Sequence, residues 1–342
     1  MDAQMGEIFL AKQQYIGFKK EDPLGTAATL ADADFKFLVE NLKIKLKSNE
    51  NQRKYAVGDP YAFQSVMGAF SAEISFSVHT QGSGAAGVDP VHFTLMECAG
   101  FTTLTPVTAY RGQSLQLPNG TATIEVQQKE NAASSIRGKK YKVKGAAASK
   151  CTEHYDGAGQ LQRIDFTFLG ALVSVTDLTA GSNNVPVLTA DVGVPPAALS
   201  ITSTWTPSGG SAYSLPCNGF TIDYGLKTGL IEYPVDATGY AYAVISDLDP
   251  VVNLKVLVQL EATLSIYANL SGSPVLGSLL TTIGSSVNQI QIVVPNAQIV
   301  KGLDLEVRSG VDEQPLMFRA IRNTVAVNTF TVPLVARMMP RT

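Results

Sequence analysis

Apolar and polar residues alternate along most of this chain. In residues 41–47, Leu42, Ile44 and Leu46 interleave with Lys43, Lys45 and Lys47. The same period of two recurs in residues 71–78, 121–127, 163–168, 220–224, 289–292 and 303–308. Such alternation predicts strands with one face buried and the other turned to water or to a second polar surface. Helix is scarce by the same criterion. The best candidate spans residues 90–99, where Asp89 is placed to cap the free amides, Pro90 suits the first helical position and Gly100 ends the turn. A helix so short needs tertiary packing of Val91, Phe93, Leu95 and Met96. A second turn of helix is expected at residues 265–270.

Long polar or glycine-rich stretches separate the strands: residues 48–68, 81–88, 102–120 and 181–196. The last contains Gly181-Ser182-Asn183-Asn184 and then Pro186, Pro195 and Pro196, which is turn and linker chemistry. It divides the chain into units 1–185 and 186–342. The order of elements repeats across that division. A strand at 41–47, a long loop and a strand at 71–78 correspond to 220–227, a similar loop and 252–260; strands near 140 and 164 correspond to those near 289 and to 303–308 and 316–319. The offset falls from about 180 to about 150, so the first unit carries roughly thirty extra residues, placed at the 90–99 helix and the loop after it. The fold class that follows is all-β, an antiparallel β-sandwich or barrel with one short flanking helix, duplicated in tandem.

Composition narrows the function. Lys plus Arg number 26 and Asp plus Glu 29, giving a formal charge of −3, too balanced to hold a polyanion by bulk charge. Three widely spaced cysteines, Cys98, Cys151 and Cys217, imply neither a disulfide framework nor a zinc cluster. The beginning of the sequence has an acid where a signal peptide has a basic region, and no apolar run approaches the ~20 residues that span a bilayer, so cytosolic synthesis is expected. His79, His92 and His154 stand at no metal-ligand or nucleophile–base spacing. No enzyme, no metal and no cofactor is therefore expected. Gly82-Ser83-Gly84-Ala85-Ala86-Gly87 fits a dinucleotide pattern, but the helix starts after it and no βαβ alternation surrounds it, so it reads as a loop. The pairs Asp32/Asp34, Asp247/Asp249 and Asp304/Glu306 read as solvated carboxylates rather than calcium or glycosidase sites. Arg137, Lys139, Lys140, Lys142 and Lys144 around Tyr141 form the one basic cluster; an edge guard, a charged subunit contact and a nucleic-acid stacking site all fit it.

Two long loops leave the sheets at equivalent points and carry aromatics and a methionine: Tyr55, Tyr61, Phe63 and Met67 in the first, Tyr233, Tyr240 and Tyr242 in the second. Rigid rings on loops are characteristic of interfaces, and a loop folded on itself is the alternative. Phe18-Lys19-Lys20-Glu21-Asp22-Pro23-Leu24-Gly25-Thr26, the 41–47 strand, the long loop with Gly58-Asp59-Pro60-Tyr61 and the 70–78 strand resemble the tail tube proteins of long-tailed bacteriophages. Residues 90–100 resemble the single helix of that fold, 137–170 its closing strands, and 215–227 the opening strand of a second unit in larger members.

The resemblance implies a structural virion protein of the tail, assembled in the host cytoplasm, whose inner sheets join into a ring and whose rings stack into a conduit for DNA ejection. Its partners would be further copies of itself, in homohexameric rings or, with a duplicated chain, homotrimeric pseudo-six-fold rings. Tape measure, tail terminator, baseplate or tip and sheath proteins would be the others. DNA would pass without specific binding, and no membrane is involved. The aromatic loops would act between rings, and Glu73, Ser75, Asp223 and Glu261 are polar strand-face candidates for the lumen. A wall that does not hold phosphate suits this charge balance, with 18 basic and 17 acidic residues to position 171 and 8 and 12 beyond it. A carbohydrate-binding β-sandwich adhesion module, suggested by the tyrosines and Trp205, and a hydrolase built on a carboxylate pair are the competing readings.

Overall fold

The computed structural model describes residues 9–51, 66–80, 89–103, 110–115, 120–130, 138–155, 157, 160–178, 201–258, 266–271, 275–285, 288–308, 311–321 and 336–340. The first part of the chain forms β1 (Phe9–Lys20), β2 (Glu40–Asn51), β3 (Val66–His79), α1 (Phe93–Glu97), β4 (Phe101–Thr103), β5 (Tyr110–Leu115), β6 (Ala122–Glu130), β7 (Gly138–Tyr155) and β8 (Arg163–Leu178). The second forms β9 (Ile201–Pro207), β10 (Tyr213–Leu215), β11 (Cys217–Asp223), β12 (Lys227–Glu232), β13 (Tyr240–Asp247), β14 (Val251–Leu257) and α2 (Ile266–Ser271). It continues with β15 (Leu276–Ser285), β16 (Asn288–Lys301), β17 (Glu306–Arg308), β18 (Val311–Ala320) and β19 (Ala336–Pro340). Every strand pairing among the described residues is antiparallel and the helices are short, so the fold is all-β.

Alternation builds each layer. In β3 and β8, Ile74 lies opposite Phe168 and Phe76 opposite Phe166, all buried, while Glu73, Ser75 and Thr167 turn the other way. Phe18, Phe37, Phe76, Phe166 and Phe168 form a connected set of ring contacts with centroids 5.4–5.9 Å apart. These close ring pairs add to plain area burial.

Pairing shows the same topology twice. The first unit orders its strands β1-β6-β7-β8-β3-β2. The second orders them β9-β15-β16-β18-β14-β11. Each unit places a short helix between its third and fourth ladder strands in chain order, α1 after β3 and α2 after β14. α1 falls within the helix expected at residues 90–99, and α2 on the second turn expected at 265–270. The extra length of the first unit lies after α1, where β4 and β5 pair with each other and β5 receives the distant β19. The interval that contains the expected division at 185 lies outside the described residues.

Two local expectations are corrected. Asp89 does not cap α1; the cap position is His92, whose carbonyl accepts the Leu95 and Met96 amides, because Pro90 opens a preceding turn to Phe93 instead. Gly100, at φ 88°, does end that segment, as a residue without Cβ can. Of residues 303–308, only 306–308 form a strand, and the apolar side chains there are exposed rather than buried.

The two units share one hydrophobic core cluster and are hydrogen-bonded to each other. β11, the edge strand of the second unit, pairs with the end of β7: Phe220 opposite Tyr155, Thr221 opposite His154, Ile222 opposite Glu153 and Asp223 opposite Thr152. The ladders thereby run without a break through β2-β3-β8-β7-β11-β14-β18-β16. No helix among the described residues is long and apolar enough to cross a membrane.

Candidate assembly surfaces

The eight-stranded ladder presents a continuous polar face contributed by both units. Registers set it: Lys43 lies opposite Ser75, Ser75 opposite Thr167, His154 opposite Arg163, and Thr221 opposite both His154 and Asn253. Glu73, Ser75 and Asp223 all lie on this face, and Glu261 lies outside the described residues. Several of its basic side chains are set against carboxylates. Lys47 is 2.5 Å from Glu73, His154 3.1 Å and Arg163 3.5 Å from Asp165, and Arg319 3.2 Å from Asp249. Lys150 and Lys255 are exposed on the same face. Paired charges of this kind lower its affinity for a phosphate chain.

The joint between the units is built to be permanent. Phe220 stacks on Tyr155 with ring centroids 5.9 Å apart, and Phe101 meets the edge of Tyr224 at 5.0 Å. The Tyr224 amide donates to the Cys151 carbonyl at 3.2 Å. Its hydroxyl donates to the fully buried Glu153 at 2.8 Å, and Gln162 Nε2 donates to the other carboxylate oxygen at 2.7 Å. A buried carboxylate with partners on both oxygens ties the strand ends together, and removing a partner would cost the desolvation of what is left.

The β12–β13 hairpin is an arm of the second unit laid on the first. Thr228 Oγ1 donates to the Ala148 carbonyl at 2.6 Å, Asn49 Nδ2 donates to the Tyr240 hydroxyl at 3.2 Å, and Lys144 Nζ donates to Asp236. That ammonium, with the Thr238 amide, holds the Asp236 carboxyl at about 2, below its ordinary 3.8. Close approach explains Gly145, at φ 58°, whose missing Cβ would stand 2.7 Å from Tyr242 Cα. Beneath the arm, Glu21 is buried and accepts the Gly145 and Gly25 amides and the Thr121 and Thr123 hydroxyls at 2.7–2.9 Å.

These contacts sort the aromatic loop residues. Tyr240 is 8% exposed and Tyr242 half-buried against the first unit, so the chain itself takes up both rings. Tyr233 stays exposed, next to Val235 at the arm tip. Met67 has its backbone in β3 and its side chain outside what is described, as are Tyr55, Tyr61 and Phe63. An open groove of about 540 Å³ runs between the arm and β8, lined by Phe70, Val173, Val175, Lys144, Asp236 and Thr238.

The remaining sequence candidates find structural partners. Lys139, Lys140, Lys142 and Lys144 of the basic cluster lie on β7, an interior strand paired on both sides, so they guard no edge, and Arg137 lies outside the described residues; Lys144 instead forms half of a charged contact, and Lys142 approaches Glu125 at 3.7 Å. Asp247 pairs with Lys227 at 2.6 Å and Asp304 with Lys301 at 2.7 Å, and Asp34 accepts the Ala31 amide. Among the described residues no group of three His, Cys, Asp or Glu could hold a metal ion. Trp205 is 1% exposed, packed between Tyr213 and Phe318, and presents no ring to a sugar. Burial pushes the Cys98 thiol up, which makes it a poor nucleophile. The 81–88 glycine motif lies outside the described residues. What sequence reasoning missed is the β7–β11 joint and Glu153 within it. No family model and no curated protein matches the chain.

Proposed function

We propose that this chain is a structural subunit that closes with copies of itself into rings, and that the rings stack into a tail tube of a virion through which the genome passes. The observation that carries this reading is the internal repeat joined edge to edge, a ladder of four strands from each unit whose terminal edges, β2 and the end of β16, carry no further strand among the described residues. Strand edges invite addition of another chain, and closure into a ring removes them. A heterologous contact that closes gives a cyclic oligomer, and one chain already contains one turn of that contact.

Three copies would contribute about 24 strands; at a spacing of about 4.8 Å and ordinary tilt their barrel has a backbone diameter of roughly 45–50 Å, wide enough for a duplex about 20 Å across. The polar face, some of whose cations stand beside carboxylates, would be the wall, and Glu73, Ser75 and Asp223 would line it. The exposed arm tip at Tyr233 and Val235 would reach the next ring, and Tyr55, Tyr61 and Phe63, which lie in sequence between β2 and β3 as the arm lies between β11 and β14, would act there too. Tape measure, terminator and baseplate or tip proteins would then meet the ends of the stack.

Electron microscopy of the purified chain is the test. Hollow rings or tubes are expected as protein concentration rises. A strictly monomeric chain at every salt and protein concentration, with tail initiator added, overturns the reading.

A further inference from the structure

Resting on the self-assembly reading, we propose that a second copy docks by laying the outer edge of its β2 antiparallel along residues 303–308, an external repeat of the β7–β11 joint. The ladders define which residues correspond. Ile44 lies opposite Ile74, and Ile74 opposite Phe168; Ile222 lies opposite Val252, and Val252 opposite Phe318. Ile44 is therefore the counterpart of Ile222, and Phe168 of Phe318. Carried along β8 and β18, the same offset equates Arg163 with Glu313. Their hairpin partners are His154 and Glu306, so Glu306 occupies the place of His154.

Transferring the internal register then fixes the external one. Thr221 opposite His154 becomes Lys43 opposite Glu306, and Asp223 opposite Thr152 becomes Lys45 opposite Asp304. Phe220 opposite Tyr155 becomes Leu42 opposite Val307, and Ile222 opposite Glu153 becomes Ile44 opposite Leu305. Both charged pairs are complementary and both apolar pairs match, from a register set without reference to side-chain type. Opposite charges facing each other across a ladder are favourable, and like charges are not.

Both edges also bear the marks of an uncovered surface. Leu303, Leu305 and Val307 are 56%, 62% and 74% exposed, and Leu46 is exposed on the matching side. Lys43, Lys45, Asp304 and Glu306 are exposed as well. Among the described residues β2 pairs with β3 alone and β17 with β18 alone. Where the internal joint sets Tyr224 on Glu153, the external one sets Leu46 beside Leu305, so an apolar contact replaces a buried hydrogen bond.

The experiment pairs a cross-link with charge reversal in the full chain. Lys43→Cys with Glu306→Cys, oxidised under assembly conditions, is expected to give covalent dimers and a closed species that does not form from either single variant. Lys43→Glu with Lys45→Glu is expected to weaken assembly at least about tenfold. Adding Asp304→Lys and Glu306→Lys to that chain is expected to restore it, with unchanged thermal melting of the monomer in all three. Wild-type rings that show no cross-link and tolerate the reversal overturn this joint and leave the tube reading standing. A wild-type chain that never self-associates overturns both.

Discussion

β2 and β11 are corresponding strands of the two units, yet β11 is buried in a joint and β2 is, among the described residues, an open edge. The closed joint uses large rings and a fully buried carboxylate: Phe220 on Tyr155, Tyr224 on Glu153. The open edges use small aliphatics flanked by lysines on one side and acids on the other. The difference follows from what each edge faces before contact. Aromatic rings and a buried carboxylate suit a contact whose partner lies on the same chain, whereas an edge that faces water is kept soluble and unpaired by charge.

The largest effects separate the two kinds of edge. Ile222→Asp, like Ile74→Asp or Phe166→Asp, puts an unpaired charge into the core and is expected to abolish the cooperative thermal transition. Leu46→Asp on the open edge β2 should shift monomer stability by no more than about 0.5 kcal/mol while stopping ring formation, as read by melting and light scattering. A folded, cooperative Ile222→Asp chain would erase the distinction.

A smaller loss is expected inside the joint. Glu153→Leu leaves the Tyr224 hydroxyl and the Gln162 amide without their carboxylate, at a cost of about 1–3 kcal/mol for each group stranded, measurable by urea unfolding. Leu305→Ala, its external counterpart, should leave the same curve unchanged.

The arm contact is smaller again. Asp236→Asn should destabilise by about 1 kcal/mol at neutral pH. Its carboxyl sits at about 2 in the folded chain against an ordinary 3.8, so its contribution is complete above 3.8 and is lost as pH falls through 2. Melting temperatures of the parent and Asp236→Asn chains should therefore converge across that window, and a gap that persists below it would mean that the ion pair does not hold the arm. Shortening residues 52–65 should have the least effect on the monomer, leaving its melting unchanged, while rings cease to stack under the microscope.

Much of the fold was legible because strand alternation is a local signal. Residues 71–78 and 163–168 needed no partner to reveal which side would be buried, and the drop in offset marked an insertion before the late strands. Placement within that insertion was not legible: the helix proved common to both units and the β4–β5 hairpin supplied the difference. Tyr240 and Tyr242 looked like interface rings, and they are, but the interface lies within the chain. Composition cannot distinguish a loop aromatic packed on a neighbouring chain from one packed on its own. For residues 303–308 alternation predicted one strand with a buried face, but only 306–308 form a strand and the apolar side chains are exposed, since alternation says which side chains share a face and not whether that face is covered.

The amino-acid sequence by itself determined the period of two, the absence of long helix, the balanced charge and the repeat of elements, because each is carried by neighbouring residues or by composition. Only the tertiary structure decided that β11 meets β7, that Glu153 receives Tyr224, and that β2 and residues 303–308 face outward. Those depend on register between segments far apart in the chain, and a shift of one residue would send every side chain of a strand to the other face.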